Sequence, residues 1–246
     1  MISLQNRYSS LAKLAELIFF PSRCHICSAL LEQPREKIVC QSCLASMKRP
    51  RFCFCLCCGR FFDYLGEPHL CSTCIKSAPS FSCHRSCGRY QGILKDVILL
   101  YKYRRYKVLG KRLALFAHQA LGKSEELWKG TEVVVAVPLH PEKKRQRGFN
   151  QAGIIAQEMA RMQGLVFVED ALIKFKMTPA QTSLVAKERR RNVKGVFRLK
   201  KRERIEKKTV ILVDDVFTTG STLRECSIVL KEGGAKEVRA LTLAQA

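Results

Sequence analysis

Two sets of residues in this chain could do chemistry. The first is VILVDDVFTTGST, residues 210–222, where an apolar run enters two adjacent carboxylates, Asp214 and Asp215. Val216 and Phe217 follow, then Thr218, Thr219, Gly220, Ser221 and Thr222. Hydroxyls and a glycine at a turn into a helix present successive N–H donors and a favourable dipole to an anion. Gly220 lets backbone approach closely. Two carboxylates at the rim would repel a phosphate but would accept hydrogen bonds from a sugar diol. A phosphorylated ribose satisfies both halves. The bland alternative is a capped turn with solvated aspartates.

The second set is a repeat of cysteine pairs. Cys24-x2-Cys27 is followed after twelve residues by Cys40-x2-Cys43, and Cys55-x2-Cys58 after twelve by Cys71-x2-Cys74. Paired CxxC turns close a tetrahedron of thiolates around Zn²⁺, and four sulfur ligands leave no open position, so such sites are structural. Cys53 and Cys57 compete as ligands in the second unit; Cys55 and Cys58 keep the spacing. Pairing across the two units stays open. Cys83 and Cys87, with His84 between them, could bind metal or be ordinary thiols, and Cys226 reads as core.

The elements that must position these groups follow from periodicity. Residues 92–121 have helical apolar spacing, read as two helices joined near Arg104–Leu109. EVVVAVP, 132–138, is a β-branched run of the kind buried on both faces of a sheet. Residues 150–164 read as a helix ending at Gly164, 195–199 as a short strand and 166–175 as a short strand with irregular chain. TVILVDD is a buried strand that ends at the two aspartates, 221–234 a helix and 236–244 the last strand. The alternation implies an α/β fold, a mostly parallel sheet with flanking helices, whose ligands sit at the carboxyl ends of the strands. Residues 1–80, an N-terminal helix around SLAKLAELIFF plus the cysteine module, precede a domain spanning 81–246.

The chain has 246 residues, with 44 Lys+Arg against 21 Asp+Glu, a formal net charge of +23. That excess points to anionic partners. No run is long enough to span a bilayer, and no cleavage site marks a signal peptide. A cytoplasmic location follows, where many of the 13 cysteines suit metal better than disulfides.

VILVDDVFTTGST is similar to the signature for 5-phosphoribosyl-1-pyrophosphate (PRPP) in type I phosphoribosyltransferases. With VPLHPEKKRQRGFNQA (137–152), QTSLVAKERRRNVKGVF (181–197) and the cysteine module, nearly the whole chain resembles the ComF/GntX family of ComFC-like competence proteins. Phe217 stands where an aliphatic residue is commoner. The resemblance implies a type I phosphoribosyltransferase-like fold behind a double zinc ribbon. Asp214 and Asp215 would then accept from the ribose hydroxyls, Thr218, Thr219, Gly220, Ser221 and Thr222 would hold the 5′-phosphate, and Val216 belongs to the same PRPP-binding stretch. Pro138, Leu139 and His140 match the pyrophosphate loop. Lys143, Lys144, Arg145 and Arg147 would meet pyrophosphate oxygens or a nucleic-acid backbone. KERRRN, 187–192, resembles the segment that covers the site. The implied reaction, if one occurs, is displacement of pyrophosphate, with Mg²⁺ carrying the leaving group's charge; no residue identifies the nucleophile. The implied role is cytoplasmic handling of single-stranded DNA in natural transformation.

Three other readings compete. Ala117-x4-Gly122-Lys123-Ser124 fits a relaxed Walker A pattern but lacks the strand before it. YKYRRYK, 101–107, could stack bases and neutralise phosphates in a non-catalytic DNA-handling module. The third is an adaptor that holds a competence helicase through the zinc module.

Overall fold

The computed structural model describes residues 22–31, 38–48, 53–177 and 194–246. The expected helix around SLAKLAELIFF and the stretch KERRRN lie outside the described residues. The chain divides into two compact units, residues 1–47 and 48–246.

In the first unit, Arg23 and Leu30 form an antiparallel bridge. A short helix α1 (Gln41–Ala45) follows, whose N-cap Cys40 accepts from the Cys43 N–H. Leu31, Val39 and Met47 are its buried aliphatic side chains among the described residues.

The second unit begins with the second cysteine module, which contains α2 (Ser72–Lys76). Five strands then form a parallel sheet in the order β1 (His84–Arg89), β7 (Glu237–Gln245), β6 (Thr209–Phe217), β2 (Val133–Ala136) and β3 (Val166–Phe167). Thr209 to Val213 are all buried, as the apolar run Val210–Val213 requires. One face of the sheet (Val133, Val135, Val210, Leu212, Val238) packs against Leu223, Cys226 and Leu230 of α8 (Ser221–Glu232). α7 (Gln151–Gln163) packs on β2, β6 and α4 (Leu109–Leu121). Fully burying side chains such as Ile211 and Leu212 contributes roughly 1.5–3 kcal/mol each. A separate antiparallel pair, β4 (Leu172–Lys174) and β5 (Phe197–Leu199), joins the α8 side of the core.

The helix pair expected over 92–121 is present as α3 (Gly92–Tyr103) and α4. α7 ends at Gly164 as expected. Ala117–Lys123 continues α4 into a turn, with no strand in front and only α5 (Glu125–Trp128) behind, so the Walker-like match has no P-loop context. β1 was not expected from the sequence, and the structure changes two further details. β6 runs on to Phe217, because β7 continues beside it and pairs Val216 with Ala244 and Phe217 with Gln245. The two aspartates therefore sit within a strand. Pro141–Arg147 forms a helix, α6, with Pro141 at its start and Gly148 at its end, which the sequence reading did not anticipate.

Candidate functional site

The register of β2 against β6 sets Ala136 opposite Val213. The Val137 N–H donates to the Val213 carbonyl at 2.9 Å. Pro138–His140 therefore leaves the sheet beside Asp214 and Asp215. Asn150 Nδ2 holds the start of this loop by donating to the Val137 carbonyl at 3.0 Å. A cavity of about 480 Å³ opens here. It gathers Pro138, Leu139, His140, Lys143 and Arg147 with Asp214, Asp215, Val216, Thr218, Gly220, Ser221 and Thr222. Thr219 instead lines a neighbouring cavity. Lys144 and Arg145 are exposed and do not line the cavity.

The turn into α8 is made by Gly220 at φ 73°, the left-handed region. Gly220 brings no capping side chain of its own; the Ser221 N–H donates to Thr219 Oγ1 over 3.5 Å, and the helix start faces the cavity. Thr219 and Ser221 join their hydroxyls at 2.7 Å. Among the carboxylates, Asp215 pairs with Lys102 Nζ at 2.7 Å, and both side chains are 14% exposed. Burial works against the Lys102 charge, but Asp215 more than offsets it. Asp214 accepts from the Asp215 N–H at 2.8 Å. Burial, and then the Asp215 charge, push its carboxyl up to about 7. Across the cavity stand Lys174 and Phe197 from the β4–β5 pair. Burial, and then the Lys143 charge, bring Lys174 down to about 8. The arrangement sets acceptors suited to a diol beside donors and cations suited to an anion.

The cysteines form two separate clusters. The sulfurs of Cys24, Cys27, Cys40 and Cys43 lie within 4.8 Å of one another, as do those of Cys55, Cys58, Cys71 and Cys74. Each set comes from one repeat, and the preferred ligands of the second unit are the ones that converge. Cys53 instead donates to the Glu67 carbonyl at 2.8 Å. Sγ separations of 3.9 Å (Cys24–Cys43), 3.6 Å (Cys27–Cys40) and 3.8 Å (Cys58–Cys71) match the edge of a tetrahedron with Zn–S bonds of about 2.3 Å, roughly 3.8 Å. Burial acts to raise Cys24 and Cys55, but backbone N–H donors outweigh it and hold them at about 6 and about 7. Burial, and then neighbouring thiols, push Cys43 and Cys74 strongly the other way. Four sulfurs this close ionise together only around a cation. Both clusters could hold zinc. Cys83, Cys87 and Cys226 join neither cluster and are buried.

The phosphoribosyl transferase domain family matches residues 115–246. Competence protein F of Haemophilus influenzae is 31% identical over 231 residues, covering 93% of this chain and 99% of that protein. The chain is a ComF-family member carrying a phosphoribosyl transferase domain. Competence protein ComFC of Streptococcus pneumoniae is 28% identical over 236 residues, 90% of this chain and 99% of that one. The DNA utilization protein YhgH of Salmonella typhi is 28% identical over 226 residues, 91% and 96% of the two chains.

Sequence reading of this ComF-family chain missed Tyr90, Lys102, Lys174 and Phe197, which line the same cavity. Lys102 and Tyr103 were grouped with the basic aromatic stretch YKYRRYK, which the structure takes apart. Tyr101 is fully buried, with its hydroxyl donating to the Gln151 carbonyl at 3.0 Å. Lys102 serves Asp215. Tyr103 is exposed at the cavity rim, with the Arg147 guanidinium 5.6 Å from its ring centroid. With Tyr101 buried and Tyr103 exposed, the tyrosines of this stretch do not share one stacking face. Among the described residues no helix is long and apolar enough to cross a membrane.

Proposed function

We propose that the cavity beside Asp214 and Asp215 binds PRPP or a related phosphoribosyl ligand, and that the chain serves single-stranded DNA handling in natural transformation. One observation carries the ligand reading. Two adjacent carboxylates, the start of α8 at Gly220 and the Pro138–His140 loop share one cavity with Lys143, Arg147 and Lys174. The carboxylates would accept from the ribose hydroxyls. The N–H groups and hydroxyls of Thr218–Thr222 would hold the 5′-phosphate. The Pro138–His140 backbone, with Lys143 and Arg147, would face the pyrophosphate. Mg²⁺ entering with the ligand would neutralise pyrophosphate charge.

Chemistry at this site would break the anomeric C–O bond, with the electron pair leaving on pyrophosphate. Fixed donors and cations would stabilise that leaving group. The acceptor nucleophile comes from outside the chain in this reading. The DNA role is supported by the printed names of the competence and DNA-utilization relatives and by the charge of +23. A binding protein that keeps the fold without transfer is the alternative, and the exposed Tyr103 with Arg147 at the cavity rim suits it.

The experiment is calorimetric titration of zinc-replete protein with PRPP and Mg²⁺, beside an Asp214→Asn/Asp215→Asn variant. Binding by the wild type that the variant loses supports the reading. A folded wild type that shows no binding removes it. Pyrophosphate release on adding a nucleophile would then separate enzyme from binder.

A further inference from the structure

The loop at Thr218–Ser221 walls two cavities. Beyond it lies the second, of about 320 Å³, whose opposite side is formed by Cys58, Cys71 and Cys74 of the second cysteine cluster. Buried contacts join that cluster to the loop. Cys58 contributes a sulfur to the cluster, and its carbonyl oxygen lies 2.8 Å from His84 Nδ1. A carbonyl can only accept, so Nδ1 carries the proton. Nε2 then accepts from the Thr242 hydroxyl at 2.9 Å. The His84 N–H donates to the Cys57 carbonyl at 2.8 Å. At Gly59 a Cβ would overlap the His84 carbonyl, so the knuckle backbone lies directly on β1. The imidazole is fully buried. It stacks on Phe217 with centroids 4.3 Å apart and 17° between planes. The far edge of Phe217 lies against Gly220, where a Cβ would come within 2.7 Å of the ring.

We propose that His84 and Phe217 are positioning residues that couple the second cysteine cluster to the ligand loop, so that metal held by Cys55, Cys58, Cys71 and Cys74 fixes the loop. A metal-bound CxxC knuckle sets the direction of the Cys58 carbonyl. An empty knuckle is free to turn that peptide away. The buried imidazole would then hold an unpaired N–H, which is unfavourable away from water, and it would shift to recover a partner. Phe217 would lose one face of its packing and Gly220 its wall. The first cluster has no such part in this proposal. By reciprocity, a ligand that orders the loop tightens the second metal. The proposal uses the phosphoribosyl reading only for what the loop binds; the loop's order is measurable without ligand.

The test is amide hydrogen exchange of the full zinc-loaded chain, read at the amides that bond to the loop: Arg224, whose N–H donates to the Gly220 carbonyl at 2.9 Å, and Ala246, whose N–H donates to the Phe217 carbonyl at 2.9 Å. Cys71→Ser empties the second cluster, Cys27→Ser the first, and Phe217→Leu breaks the stack while keeping every ligand. Exchange of the loop should rise on the order of tenfold in Cys71→Ser and in Phe217→Leu, with β2 and β7 still protected. Phe217→Leu should keep its zinc content, and Cys27→Ser should leave the loop unchanged. If Cys71→Ser unfolds the unit, Phe217→Leu decides. Unchanged loop exchange in Phe217→Leu, or an equal rise in Cys27→Ser, would overturn the proposal. A second readout tests coupling rather than support: PRPP with Mg²⁺ should slow zinc release to a chelator in the wild type and not in Phe217→Leu. Wild-type calorimetry keeps the two readings apart. No heat with a responsive loop removes the ligand reading and leaves the coupling; heat with an unresponsive loop does the reverse.

Discussion

The two carboxylates are neighbours in sequence and unequal in chemistry. Asp215 is paired with Lys102 at 2.7 Å. Asp214, pushed up to about 7 by burial and then by Asp215, gains its full charge only above neutrality. A charged carboxylate accepts from a diol more strongly than a neutral one. PRPP affinity should therefore fall as pH drops through about 7. Lys174, lowered to about 8 by burial and then by Lys143, loses its charge above that pH and with it some hold on an anion. Calorimetry across the pH range should give a bell with its top between these two values. Asp214→Asn should remove the acid limb and Lys174→Met the alkaline limb; a flat wild-type profile would count against both assignments. Stability runs the other way from the usual carboxylate case. The unfolded chain releases the Asp214 proton near its ordinary pKa of 3.8 while the folded chain keeps it up to about 7. Stability falls as pH rises through that window and levels off above it, and Asp214→Asn should flatten the slope in urea unfolding. Lys102→Met leaves Asp215 enclosed without its cation, a change that typically costs about 3–5 kcal/mol. It should also move the acid limb to higher pH, since Asp214 loses a positive charge that acts to lower its pKa.

At the scale of elements, the turn between β6 and α8 makes the strongest demand. Gly220 has a positive φ, and a Cβ there would meet the Phe217 ring. Gly220→Ala combines backbone strain of order 1–3 kcal/mol with displacement of Phe217. Thermal unfolding should show a Tm lower by several degrees, and PRPP binding should weaken more than in a Gly130→Ala control, whose Cβ meets nothing within 4 Å. The strands that build this edge were legible because 133–137 and 210–213 are unbroken apolar runs. β1 was not. His84, Arg85 and Ser86 are polar yet buried. Their partners, the carbonyls of Cys58 and Leu56 and the Thr242 hydroxyl, are distant in sequence. No local pattern announces such a strand. α6 is the opposite case: Pro141 at its first position and Gly148 after its last residue are ordinary helix signals. Had they been read, helical spacing would have set Lys143 and Arg147, four residues apart, on one face and separated them from Lys144 and Arg145. The site motif itself was visible in full, but Lys102 and Lys174 belong to it only through tertiary packing.

At the scale of the molecule, two features set how the chain responds to its surroundings. The first unit has few aliphatic residues in its described core, so metal must supply much of its folding energy. Chelation should expose residues 22–47 to proteolysis while the parallel sheet keeps its far-ultraviolet signal; loss of both together would mean that the sheet depends on metal as well. The second feature is charge. With +23, affinity for a single strand should fall log-linearly with salt, at roughly 0.7 per neutralised phosphate. An oligo-dT that touches about four phosphates would give a slope near −3 by that rule, and a slope near zero would remove the electrostatic argument for nucleic acid. The slope alone does not locate the strand. Saturating PRPP and Mg²⁺ does. A strand that enters the cavity at Lys143 and Arg147 competes with pyrophosphate for the same cations, so added PRPP should weaken oligo-dT binding and lower the slope. A strand that runs over Lys144, Arg145 and the exposed lysines elsewhere keeps both its affinity and its slope. Arg147→Ala separates the cases further. In the first it weakens PRPP and DNA together and lowers the DNA slope. In the second it weakens PRPP alone.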